Sequence, residues 1–191
     1  MHFFIMDEAQ KKKYSNEILE LVKLGDNDFV PPLSQRTSTI QGDLSGSTCE
    51  NNNGVMSYFN EMMKQTVLGI VSDETLLGFA SFRENMISSV ITEADTPNIY
   101  LSTILIHPDA RGKGITTGIY KYFINSYCVD KNIFTRTWST NVAHIAVLKK
   151  FEFEEIHRIP NDRGVGIDTV YFSHRAKNEI INSKFKCEGM L

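Results

Sequence analysis

Residues 99–127 constrain the fold of this chain more than any other stretch. Ile99-Tyr-Leu-Ser-Thr-Ile-Leu-Ile106 is an apolar, β-branched run and reads as a buried strand. It breaks at His107-Pro108-Asp109 and passes through Arg111-Gly-Lys-Gly114. From Thr116 to Tyr127 the period becomes helical, with Ile115, Ile119, Phe123 and Tyr127 on one face. A strand that feeds a glycine-rich turn opening a helix builds an anion site. The helix's first amide hydrogens have no partner in the chain, and their dipoles point at whatever sits there. Glycines let the backbone approach closely, and Arg111 and Lys113 add positive charge. The stretch reads as a phosphate cradle, with a solvated, charged turn as the plain alternative.

The other elements arrange themselves around it. Residues 8–24 read as one helix carrying Tyr14, Ile18, Leu21 and Val22, stopped by Gly25. A polar segment from Asp26 to Asn53 contains Pro31-Pro32, and a second helix follows over Gly54–Lys64. Gln65–Val71 and Leu76–Phe82 flank a short polar turn and form a hairpin. After the central strand and helix come a strand over Ile133–Trp138, a helix over Asn141–Lys150, and strands over Phe153–Ile159 and Thr169–Ser173. This order is mixed α/β, antiparallel early and late with a parallel crossover in the middle. A single domain over 1–175 is expected, with a weakly patterned tail over 176–191 that could form one helix.

Charge and cysteine usage exclude several partners. The net charge of −3 and pI near 6.0 give no footprint for nucleic acid or an anionic membrane. No apolar run reaches the roughly 20 residues of a membrane span, and the apolar N-terminal segment is too short for a signal peptide. Cys49, Cys128 and Cys187 are widely spaced, without a metal-binding pattern or a paired base. A reduced, cytoplasmic protein without a metal is expected.

Spacing separates the nucleotide readings of the cradle. A dinucleotide fingerprint starting at Gly112 and Gly114 needs its third glycine at 117, where Thr117 stands. The NTPase phosphate loop needs a spacing that is absent here. Arg111-Gly-Lys-Gly-Ile-Thr116 instead resembles the acyl-CoA signature of the GNAT N-acetyltransferase superfamily, Arg/Gln-x-x-Gly-x-Gly/Ala. Arg111 and Gly114 match it, and Thr116 departs from it. Asn141, followed by Ala146, Lys150 and Phe153, is similar to the superfamily's later motif, so the resemblance covers about residues 54–173.

The resemblance implies a GNAT-type, mostly antiparallel mixed sheet with helices on both faces. It implies acetyl-CoA as acyl donor, its pantetheine arm pairing with Ile104, Leu105 and Ile106 in a wedge between the strands at 99–106 and 133–138. The pyrophosphate would sit on Arg111, Gly112, Lys113, Gly114, Ile115, Thr116 and Thr117. Asn141 would touch the donor, cap its own helix, or do both. The implied activity is N-acetyl transfer to a small-molecule amine by direct attack in a ternary complex, in a monomer or homodimer. A catalytically silent acyl-CoA-binding module and a protein N-acetyltransferase are the alternatives.

Proton handling is where this chain leaves the superfamily pattern. Leu148 stands where many members carry an acid tyrosine, Tyr100 where some carry a base glutamate, and Glu152 where a glycine precedes Phe153. Tyr100 and Glu84 are the candidate catalytic replacements, and His107 and His144 are the groups that titrate near neutrality. For the acceptor, two segments are candidates: Phe29–Arg36 and Asn161–Asp168. There Arg36 or Arg163 would hold an anion and Asp162 or Asp168 an amine, beside Trp138.

Overall fold

The structure, a computed structural model, describes residues 1–36, 38–39 and 54–176. The rest of the expected linker, the tail beyond Ala176, and with them Cys49 and Cys187, lie outside the described residues. The chain opens with a strand, β1 (His2–Ile5), that its sequence conceals. Phe3 and Ile5 pack on one face of the sheet and Phe4 and Met6 on the other, so both faces are apolar and the alternation that marks a strand is lost.

Asp7 then caps the first helix. Its carboxylate accepts from the Gln10 amide at 2.7 Å, and the Gln10 side chain accepts in return from the Asp7 amide. The single helix expected over 8–24 is two, α1 (Glu8–Lys13) and α2 (Ser15–Leu24). The break falls at Tyr14, whose backbone leaves helical geometry while its side chain is buried. Gly25 ends α2 as read, and α3 (Gly54–Met63) follows the undescribed segment.

The sheet continues with β2 (Thr66–Ser72), β3 (Thr75–Glu84) and β4 (Asn98–Ile106). Helix α4 (Ile115–Tyr122) runs into a π-helical turn over Phe123–Tyr127 rather than continuing as α-helix to residue 127. The wider turn sets the rings of Phe123 and Tyr127 edge-on against Phe82. Then come β5 (Asn132–Trp138), α5 (Val142–Lys150), β6 (Glu154–Ile159) and β7 (Thr169–His174).

The seven strands lie in the order β1-β2-β3-β4-β5-β7-β6. All neighbours are antiparallel except β4 and β5. Helices α2 and α3 bury Ile18, Leu21, Tyr58 and Met62 against one face, and α4, the π-helical turn and α5 bury Ile119, Phe123 and Leu148 against the other. The parallel pair sets up everything that follows. Its register runs from Asn98 opposite Asn132 to Leu101 opposite Thr135 and ends there, although both strands continue. Beyond that point β4 stays with β3 and β5 with β7, so the two diverge. At the point of divergence β4 is irregular: Leu101 faces Phe82 and Thr103 faces Ser81, which leaves Ser102 as an extra residue.

Candidate active site

A cavity of about 350 Å³ fills the gap between β4 and β5. Its walls are the last paired residues and the diverging ends of the two strands, Leu101–Ile106 and Thr135–Trp138. It passes from Thr116, His144 and Val147 beside α4 and α5 to Phe29, Thr103 and Arg136 on the opposite face of the sheet. The site is a passage through the sheet with two differently built ends.

The first end is the cradle. Gly112 and Gly114 have φ of +75° and +76°, a left-handed backbone in which side chains are strained. A Cβ built on either meets nothing of the chain within 4 Å, so the space above the turn is open to a ligand. Gly114 is also the N-cap of α4 and supplies no side chain to its first amides. These donors, the helix dipole and exposed Lys113 together suit a diphosphate. Arg111 lines the cavity beside them. Its Nε donates to the Ile106 carbonyl at 3.2 Å, and its Nη2 pairs with the Asp28 carboxylate at 2.6 Å. Asp28 belongs to the segment read as a linker, and its position at the cavity mouth was not foreseen. An Arg–Asp contact across 83 residues leaves no local sequence pattern.

Asn141 lines the cavity and caps α5 as well. Its Oδ1 accepts from the His144 amide at 3.3 Å, and its Nδ2 donates to the Thr137 hydroxyl at 3.1 Å. The His144 ring lines the wall, with Nε2 2.7 Å from the hydroxyl of fully buried Tyr120. Burial lowers the His144 pKa to about 4, so the ring is neutral at pH 7. Ser102 is not set up as a nucleophile, because its hydroxyl donates to Gln65 Oε1 at 2.5 Å and packs against Ser81.

The catalytic candidates from the sequence stand elsewhere. Neither Tyr100 nor Glu84 lines the cavity. Tyr100 is buried with Ile91 and Phe134, and burial pushes its phenol up to about 12. Glu84 pairs with Ile99 at the closed end of the β3–β4 ladder. Its carboxylate accepts from Tyr127 and from Lys131, at 2.6 and 3.0 Å, and these bonds hold it below the usual carboxylate range. Buried Cys128, whose thiol is pushed up to about 12 by desolvation, is equally unsuited to attack.

The acceptor candidates divide in the same way. Trp138 lines the second end of the cavity, its ring 5.7 Å from that of Phe29. Arg36 and Arg163 are buried behind this aromatic pair, the one over Phe29 and the other over Trp138. Both donate to the turn at residues 30–31: Arg36 Nη2 to the Pro31 carbonyl at 2.8 Å, Arg163 Nη1 to the Val30 carbonyl at 2.6 Å. Asp162 is buried and accepts from the Thr169 hydroxyl, which accepts in turn from Arg163 Nε. Asp168 is held by Arg158 and by the Asn161 amide on the β6–β7 hairpin, away from the cavity, and those bonds lower its pKa. The charged residue that does reach this end, Arg136, was missed. It alternates with Phe134 and Trp138 along β5, and a guanidinium at an inward position of a strand was the available signal.

The parallel strand pair diverges as the family resemblance implies, with a glycine turn at its mouth. The acetyltransferase (GNAT) family model matches residues 44–153, more than half of the chain, and the protein belongs to that family. Solved structures carry the same fold. An N-acetyltransferase from Staphylococcus aureus Mu50 superposes with a TM-score of 0.60 at 17% identity, over 93% of this chain and 100% of that one. The Salmonella typhimurium protein yncA, solved with its cofactor acetyl-CoA, gives 0.61 at 14% identity, over 93% and 94%. The aminoglycoside 6'-N-acetyltransferase of Enterococcus faecium gives 0.60 at 11%, over 91% and 96%. Curated protein sequences give no match.

Proposed function

We propose that this protein transfers an acetyl group from acetyl-CoA to the amine of a small polar acceptor, with both substrates bound together. The observation that carries this reading is the cavity itself. It runs from Arg111 and Thr116, at a glycine turn whose open space suits a diphosphate, to an aromatic, arginine-backed pocket on the other face of the sheet. Acetyl-CoA supplies an activated acyl group. In this reading the amides of residues 112–117, with Arg111 and Lys113, hold its diphosphate. The backbone of Ile104–Ile106, free of β5, pairs with the pantetheine arm, and Asn141 borders it. The irregular backbone at Ser102 offers a hydrogen bond where negative charge develops on the acyl oxygen.

An alkylammonium titrates near ~10 and must lose its proton before it attacks. Among the described residues, the ionisable side chains lining the cavity are Asp28, Arg111, Arg136 and His144. Asp28 is paired with Arg111, and His144 is too weak a base to take that proton at neutral pH. The positive field of Arg136, with Arg36 and Arg163 behind it, substitutes for a base by disfavouring the charged form of the bound amine. A thiol-release assay with acetyl-CoA and a panel of amino acids, amino sugars, polyamines and peptides tests the reading. Release with small amines supports it. Donor binding without release for any amine overturns it in favour of a silent acyl-CoA-binding module, and release with peptides alone moves the acceptor to proteins.

A further inference from the structure

Three guanidiniums, those of Arg36, Arg136 and Arg163, converge on the acceptor end of the cavity. Arg36 and Arg163 are each only 6% exposed, and Arg136 forms the wall. Among the described residues none of the three is in a salt bridge, although the chain carries 23 acidic residues against 20 basic ones. Arg111, Arg158 and Arg175 do find carboxylates, Asp28 for the first, Glu155 and Asp168 for the second and Asp95 for the third; Arg83, outside the cluster, has none among the described residues. Asp162, the buried acid nearest in sequence, spends its hydrogen bond on Thr169. Asp162 attracts Arg136 and Arg163, and Asp26 attracts Arg36, but among the described residues no carboxylate touches any of the three; buried charge is costly, and an anion arriving from outside would supply that contact.

The three are not equivalent. Arg36 and Arg163 point their donors at the Val30 and Pro31 carbonyls and Thr169, so they brace the turn that carries Phe29 and add field from behind. Arg136 makes one hydrogen bond among the described residues, from Nη1 to the Tyr171 hydroxyl at a long 3.3 Å. Among the described residues the rest of its planar fork meets no acceptor, and the side chain stands at the cavity wall. A fork of that shape matches a carboxylate through two parallel bonds. Burial, then repulsion from Arg36 and Arg136, lowers Arg163 to about 9, whereas Arg136 is raised, its burial opposed by Tyr100, Tyr171 and Asp162.

Resting on the acetyl-transfer reading, we propose that the acceptor carries a carboxylate beside its amine, as an amino acid does, and that Arg136 receives it. The carboxylate offsets one of the three positive charges and leaves the rest of the field to disfavour the protonated amine, and its bond to Arg136 fixes the amine at the strand gap. Arg136 then determines specificity without handling protons.

Matched pairs of amino acids and their carboxamides separate charge from shape. The carboxamide's amine is the less basic, so without a receptor the amide reacts faster. For the wild-type protein kcat/KM is expected to favour the acid by about 10- to 100-fold, the range of one charged hydrogen-bonded contact. In Arg136→Gln that ratio falls to one or below, and Arg136→Lys lies between. Thermal melting of each variant establishes that it is folded. A wild-type ratio at or below one, or a ratio unchanged in folded Arg136→Gln, overturns the proposal. If no amine releases thiol, calorimetric titration of N-acetyl amino acids into the CoA-saturated protein still decides it. Binding to wild type and not to Arg136→Gln keeps the carboxylate receptor while the transferase reading falls, and binding to neither overturns both.

Discussion

Gly114→Ala isolates the cradle from the rest of the fold. Gly114 holds φ of +76°, where alanine pays about 1 kcal/mol of backbone strain. No atom of the chain outside the turn lies within 4 Å of the new methyl, so a steric clash adds nothing. For a chain of this size 1 kcal/mol corresponds to a fall in Tm of about 2–4 °C. The donor's loss is separate and larger. The methyl occupies the open space above the first amides of α4, and each charged hydrogen bond forfeited there is worth about 1.5–3 kcal/mol, or roughly 10- to 100-fold in affinity. Calorimetry with acetyl-CoA and a melting curve on the same sample read both quantities. Gly118→Ala is the control. Its methyl would come within 2.6 Å of the Phe3 ring in the α4–β1 packing, so it changes stability and leaves donor affinity alone. A Gly114→Ala protein that melts 2–4 °C early yet binds acetyl-CoA as before would show that the turn is only a turn.

Asp28→Asn removes the carboxylate that occupies Arg111 in the free protein. Because an exposed pair contributes about 1 kcal/mol or less, acetyl-CoA affinity should rise by up to about fivefold at low salt; weaker binding would mean Asp28 helps the donor rather than competing with it. Glu84→Gln should cost under about 1 kcal/mol and leave the pH dependence of kcat unchanged, since Glu84 serves Tyr127 and Lys131. The carboxyl's lowered pKa makes that small contribution present above about pH 4.3 and lost as pH falls; loss of the acid-side limb of the rate profile in Glu84→Gln would restore Glu84 as a base. His144, lowered to about 4, works in the same direction through the opposite charge. The unfolded chain takes up the proton first, so stability should fall as pH drops from about 6.5 to 4, by at most about 3 kcal/mol and less where the ring edge meets the cavity. His144→Phe should flatten that part of a urea-denaturation series, and an unchanged slope refutes the burial argument.

The fold was legible where one physical signal acted alone. The apolar run 99–106, the turn at 72–75 and the stop at Gly25 each depend on local chemistry, and each element stands where the sequence puts it. The differences arise where tertiary packing overrides a local pattern. Strand β1 shows no alternation because both of its faces are covered. The helix at 8–24 breaks because Tyr14 is drawn into the core, and the π turn at 123–127 yields helical geometry to aromatic contacts with Phe82.

The site divides along the same line. Its donor end is local: one turn of backbone, with two glycines and an arginine within four residues, so spacing alone can expose it. Its acceptor end is assembled from a loop near residue 30, β4, β5 and the β6–β7 hairpin, and the contact between Arg163 and Val30 spans 133 residues. Picking Arg36 and Arg163 out of polar loops found the right region, because arginines set among prolines and glycines stand out. It could not show that both face backbone carbonyls while Arg136, hidden in an apolar strand, faces the cavity. A charged side chain at an inward strand position is the sequence signal that such a pocket leaves. Its cost to stability makes it a better guide to the acceptor than any residue in the exposed loops.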